Sequence, residues 1–129
     1  MSLKKERGYI AESIAKEFLI KKNYTFLGQN YYSRYGEIDL IFLDTNDTIC
    51  FIEVKFSKLK HINPLQKINS KKINKLFLTA ITFLKKNNLE EKNIKFDIIV
   101  IISNDIKYYQ NVILINENNL LEVNRCFQM

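Results

Sequence analysis

The stretch Gly36-Glu37-Ile38-Asp39-Leu40-Ile41-Phe42-Leu43, with its sequel Ile49-Cys50-Phe51-Ile52-Glu53-Val54-Lys55-Phe56, decides how this chain folds. Both segments are apolar runs of strand length, and the cluster Asp44-Thr45-Asn46-Asp47-Thr48 between them is turn-forming, so they make a hairpin. Side chains alternate faces along a strand. Ile38, Leu40 and Phe42 are expected on one face of the first strand, with Glu37, Asp39, Ile41 and Leu43 on the other. In the second strand Cys50, Ile52, Val54 and Phe56 share a face, opposite Ile49, Phe51, Glu53 and Lys55. Matching the apolar faces pairs Leu43 with Ile49 and Ile41 with Phe51. Asp39 then falls opposite Glu53, and Glu37 opposite Lys55. Directly opposed side chains stand about 5 Å apart at Cβ.

Two carboxylates that close repel unless a cation lies between them. A hard divalent ion such as Mg²⁺, with Mn²⁺ as a substitute, takes oxygen ligands and suits the pair. Such an ion acidifies a bound water and polarises a phosphoryl oxygen. Lys55, two residues after Glu53 and so on its face, can orient that water or meet charge on a phosphate. A plainer reading stands beside this one: edge hairpins often carry solvated charges at one end, and Glu53 and Lys55 can be such a pair.

Outward from the hairpin, residues from about 5 to 22 read as an amphipathic helix with Ile10, Ala11, Ile14 and Phe18 on its apolar face. Gly8, Ala11 and Ala15 form a strip of small side chains beside Glu12. Tyr24 to Tyr32 reads as a short, bent strand. Beyond the hairpin, Ser70 is placed to cap a helix running to about Lys86, with Ile73, Leu76, Phe77, Ala80, Phe83 and Leu84 at helical spacing. Ile94 to Ile102 is apolar enough for a central strand, and Tyr108 to Ile115 for a further one. Helix, three strands, helix, strand, strand predicts an α/β fold: a mixed central sheet flanked by helices.

A length of 129 residues suits one domain, 1–129, with a real core. Three Gly and one Pro leave little room for a linker. The net charge of +6 points to a polyanionic partner, nucleic acid or an anionic membrane surface. Cys50 and Cys126 have no metal-ligand spacing and build no disulfide framework, which fits a reducing compartment. Neither a signal-type apolar run nor a bilayer-length apolar stretch is present, so a soluble cytoplasmic protein is expected.

The blocks Gly36-Glu37-Ile38-Asp39-Leu40-Ile41 and Phe51-Ile52-Glu53-Val54-Lys55 closely resemble the YraN-like family, a branch of the PD-(D/E)XK nuclease superfamily of Holliday-junction resolvases and restriction endonucleases. Gly8, Glu12 and Ala15 match its first helix, and Asn30, Arg34 and Gly36 its approach to the hairpin. Lys72, Ala80 and Leu84 resemble its second helix and Phe96-Asp97-Ile98-Ile99 its next strand, so the likeness runs from about Gly8 to Val100. The resemblance implies a restriction-endonuclease-like core of helix, three strands, helix and strand. It implies Asp39 and Glu53 as metal ligands, Lys55 as catalytic lysine and Glu12 as a further, helix-borne acid. The metal would be Mg²⁺ and the partner DNA, branched or single-stranded DNA included; junction-cutting relatives suggest a homodimer by analogy. Ile38 stands where the superfamily motif has proline, and Ser57 where these relatives usually carry a basic residue.

Other residues keep two readings. Glu12 can pair with Lys16 one helical turn on. Glu37 can be a ligand or a partner of Lys55 or Arg34. Asp97 interrupts an apolar strand and needs a partner, Arg34 or a backbone cap, in a structural role. His61 sits in a polar loop with no partner motif. Lys58, Lys60, Lys67, Lys71, Lys72 and Lys75 can hold phosphates or form a solvated face. Tyr31, Tyr32 and Tyr35 can stack on bases or pack as rim and core. Three functions remain: a metal-dependent deoxyribonuclease, a non-catalytic DNA-binding module with a nuclease fold, and a protein–protein adaptor.

Overall fold

The computed structural model describes residues 3–58, 63, 69–103, 105–115 and 121–123. Its elements are α1 (Leu3–Lys21), β1 (Thr25–Ser33), β2 (Gly36–Leu43), β3 (Thr48–Ser57), α2 (Ser70–Lys86), β4 (Asn93–Ile102), β5 (Asp105–Tyr109), β6 (Ile113–Ile115) and β7 (Leu121–Val123). The first five strands form one sheet in the order β1-β2-β3-β4-β5, and β6 and β7 form a separate pair. Strands β3 and β4 run parallel and the other neighbours in the large sheet antiparallel. A parallel pair needs a crossover, which α2 supplies. The result is the mixed α/β sheet of a restriction-endonuclease-like core.

Strand β4 is apolar at seven of its ten positions, and without a break from Ile98 to Ile102, because both of its faces are covered there. Phe96, Ile98, Val100 and Ile102 pack with Ile49, Phe51, Ala80, Phe83 and Leu84, beneath α2. Ile99 and Ile101 pack with Leu40, Phe42, Cys50 and Ile52, beneath Ala11, Ala15 and Leu19 of α1. Burying side chains of this size stabilises by roughly 1.5–3 kcal/mol each.

Helix α1 does not bury the face its larger residues suggest. Ile10 and Ile14 are exposed, and the buried line is Ala11, Ala15 and Leu19, with Phe18 half-buried beside it. Alanines let the helix lie close on the sheet, where a larger side chain has no room. Ala15 is fully buried, so Ala15→Leu is expected to destabilise the fold by about 1–3 kcal/mol through overpacking. Urea unfolding checks this, with Ile14→Ala expected to stay within about 1 kcal/mol.

Four further details depart from the sequence expectation. The side chain of Asn69, not Ser70, caps α2, accepting from the Lys72 backbone N–H at 2.9 Å. The expected single strand from Tyr108 to Ile115 is broken: β5 ends at Tyr109, Asn111 turns left-handed at φ 57°, and β6 begins at Ile113. Ile38 packs with Ile41 on the α2 side, whereas Leu40 and Phe42 lie on the α1 side. Strict alternation thus slips at Asp39. Across the β1–β2 ladder, Asn30 takes a left-handed φ of 47° between the pairs Gln29↔Leu40 and Tyr31↔Ile38. Such a residue turns its strand out of plain alternation, and the slip in β2 lies opposite it. Finally, of the two partners expected for Asp97, the backbone cap is present and Arg34 is not. Its carboxylate accepts from the Tyr108 hydroxyl and from the Asn111 N–H, and Arg34 donates to the Tyr35 hydroxyl.

Candidate active site

The β2–β3 ladder runs from Leu43↔Ile49 through Ile41↔Phe51 to Leu40↔Ile52. This is the register expected from the apolar faces. Its last pair, Leu40↔Ile52, stands one position short of Asp39 and Glu53. The paired register stops there, and Asp39 Oδ2 instead accepts a hydrogen bond from the Val54 N–H at 2.8 Å. The carboxylate is thereby tied across the hairpin at the level of Glu53.

Asp39 is unusual electrostatically. Burial pushes its carboxyl up to about 7, against the lowering pull of the Val54 N–H, and the charges of Glu12, Glu53 and Glu37 add to the rise. Burial is the largest cause, and the neighbouring acids act in the same direction. Burial also raises Glu12, a hydrogen bond from Asn30 lowers it, and Glu37 raises it again. With its amide nitrogen turned to the acids, Asn30 donates to Glu12 Oε1 at 3.1 Å and to Glu37 Oε1 at 3.2 Å. Its left-handed backbone sets that reach, and asparagine tolerates the conformation better than most residues. Gly8, Tyr9, Glu12, Asn30, Tyr32 and Glu37 together line an open recess on this side.

Glu53 faces the other way, towards α2. Lys72 Nζ lies 3.2 Å from Glu53 Oε1. Glu37, Asp39, Glu53 and Lys72 stand at a small cavity of about 80 Å³ whose wall includes Phe51 and Phe96. Lys55 is half-buried, two residues beyond Glu53 on the same strand. Lys58 is exposed at the end of β3, as are Lys71 and Lys75 on α2. Lys60, Lys67 and His61 lie outside the described residues. Ser57 is buried, so that position offers no open side chain to a phosphate.

The tyrosines divide. Tyr31 turns inward against Phe83, ring centroids 5.3 Å apart, and Tyr35 lies under the Arg34 guanidinium. Tyr32 is 69% exposed and stands beside Glu37, its phenol raised above the ordinary value by that charge first of all. Sequence reasoning did not single out Asn30 for a role in the site, nor the Glu53–Lys72 pair. The first had no glycine to mark its backbone, and the second joins residues 19 positions apart on different elements.

Among the described residues, no three His, Cys, Asp or Glu side chains converge as a ready-made metal cage. Mg²⁺ does not need one. It is commonly held by one or two carboxylates, with waters and substrate phosphates completing the shell. Asp39 and Glu53 are hard oxygen donors of that kind, and both line the same small cavity.

Comparison with known proteins agrees with the motif. The sequence model described as "Uncharacterised protein family UPF0102" matches residues 11–101. The chain belongs to the UPF0102 family. A UPF0102 protein of Sulfurihydrogenibium sp. (strain YO3AOP1) is 36% identical over 109 residues, 84% of this chain and 94% of the relative. One of Fervidobacterium nodosum is 39% identical over 114 residues, covering 86% and 84% of the two chains. One of Vibrio parahaemolyticus is 36% identical, covering 85% and 93%. The UPF0102 match runs from the middle of α1 through nearly all of β4, and so takes in Glu12, Asp39, Glu53 and Lys55 together. No helix of the described residues is long and apolar enough to cross a membrane.

Proposed function

We propose that this UPF0102 chain is a divalent-metal-dependent endonuclease-like protein that hydrolyses phosphodiester bonds in DNA, branched or single-stranded DNA included. The observation that carries this reading is the placing of Asp39 and Glu53 on one cavity just beyond the β2–β3 ladder, with the Asp39 carboxyl driven to about 7 by burial and neighbouring acids. Asp39 and Glu53 would hold Mg²⁺ or Mn²⁺, with Glu12 as a further acid. Bound there, the ion supplies Lewis acidity and an acidified water. Lys55 orients the attacking water or meets charge on the phosphate. Lys58, Lys71 and Lys75 are exposed around this end of the sheet and offer the basic surface that a DNA backbone requires. A single domain, and a homodimer able to act on two strands, fit the same proposal.

The test is a nicking assay on branched and linear DNA with Mg²⁺ or Mn²⁺. Product is expected to require the ion and to fall by about 10²–10³-fold in Glu53→Ala. Cleavage that survives both Glu53→Ala and Asp39→Ala sinks the assignment. DNA affinity with no ion-dependent product on any substrate leaves the binding-module reading in its place.

A further inference from the structure

A cation of the protein's own already stands at the proposed ion's ligand. Lys72 Nζ is 3.2 Å from Glu53 Oε1, and the two side chains are 40% and 27% exposed. Lys72 reaches across from the first turn of α2, a turn that contains no acidic residue. Positive charge is disfavoured at a helix N-terminus, because the peptide dipoles already present their positive end there. The helix's own stability therefore gives no reason for a lysine at this position. The Asn69 cap fixes the Lys72 backbone N–H, so the side chain starts from an anchored point. Its head group then lies on the rim of the cavity that Asp39 and Glu53 also line.

We propose that Lys72 is a positioning residue that holds Glu53 in the ion-free site and yields it to a divalent cation, turning its ammonium to the substrate phosphate. This rests on the metal-site reading above. In the ion-free protein Lys72 neutralises one of the carboxylates that crowd Asp39. A divalent ion binding Asp39 and Glu53 competes with it, since one carboxylate cannot serve a dication and an ammonium equally well. The displaced ammonium stays beside the cavity with three donors free for a phosphate oxygen. The site thus carries compensating positive charge both with and without the ion.

The test is calorimetric titration of the whole protein with Mn²⁺, comparing wild type, Lys72→Gln, Lys72→Arg and Asp39→Ala. Removing the competitor in Lys72→Gln is expected to tighten Mn²⁺ binding roughly fivefold. Lys72→Arg keeps the charge and should restore the wild-type affinity. Lys72 is partly exposed, and thermal melting verifies that the variants fold. Equal or weaker Mn²⁺ binding in Lys72→Gln, with binding still abolished by Asp39→Ala, overturns the role of Lys72 and leaves the metal site standing. Wild-type protein without Asp39-dependent Mn²⁺ binding overturns both.

Discussion

Asp39→Asn is expected to abolish Mn²⁺ binding at neutral pH and, in the same protein, to raise the melting temperature of the ion-free form at pH 8. Both effects have one cause. The folded protein lifts the Asp39 carboxyl from 3.8 to about 7, chiefly by burial. The folded state therefore holds this proton more tightly than the unfolded chain does. The associated stability is fully present at low pH and is lost as pH climbs from about 4 to about 7. Above that window wild type carries a partly buried charge that the neighbouring acids disfavour. Asparagine carries none, and its side-chain oxygen can still accept from the Val54 N–H. A gain on the order of 5 °C at pH 8, shrinking towards nothing at pH 4, is the expected pattern. Ion binding by wild type should weaken about tenfold for each pH unit below 7, because the ion needs the deprotonated acid. Saturating Mn²⁺ should return to wild type the stability that it lacks at pH 8. If cleavage is found, Asp39→Asn should lower it by about 10³-fold, the loss of several kcal/mol of charge stabilisation. A variant no more stable than wild type at pH 8 would show that the carboxyl is not strained.

Asp97→Ala is expected to cost about 3 kcal/mol of stability, a fall in melting temperature of about 10 °C, without weakening Mn²⁺ binding. Asp97 is 2% exposed and sits in an otherwise apolar strand. The Tyr108 hydroxyl and the Asn111 N–H both donate to it, and Lys95 Nζ approaches to 3.8 Å. Removing the carboxylate leaves those partly buried donors without their acceptor. The Asn111 bond also pins the turn between β5 and β6 to β4, so its loss should loosen that turn. Tyr108→Phe deletes one donor and keeps the other, and about 1–2 kcal/mol is expected. Urea unfolding gives both values. Unchanged stability together with lost ion binding would instead make Asp97 part of the metal site.

The hairpin was legible because its signal is local. Apolar pairing alone set the observed register, Ile41↔Phe51 and Leu43↔Ile49, and that register leads towards the cavity that Asp39 and Glu53 both line. What escaped depends on partners distant in the chain or on backbone shape. Ile10 and Ile14 dominated the helical pattern of α1 because alanine carries little hydrophobic signal, though Ala11 and Ala15 form the contact. The slip that parts Ile38 from Leu40 lies opposite an asparagine with positive φ, which pattern reading treats as an ordinary polar residue. Tyr31, Tyr32 and Tyr35 look alike in sequence, and tertiary packing sends them to three different fates. Spacing alone does not part Lys72 from the other clustered lysines, and it is the packing of α2 that brings it to Glu53.

Strand β1 also bears on how copies of the chain can meet. It is an outer strand of the sheet, and its ladder to β2 shifts between Phe26 and Gly28 and meets left-handed Asn30 shortly after. An incoming strand needs an uninterrupted row of amides and carbonyls to extend a sheet, and these two faults deny it one. The opposite border, β5, has just five residues. Two subunits built this way would join through helices or loops rather than by fusing their sheets into one continuous ribbon.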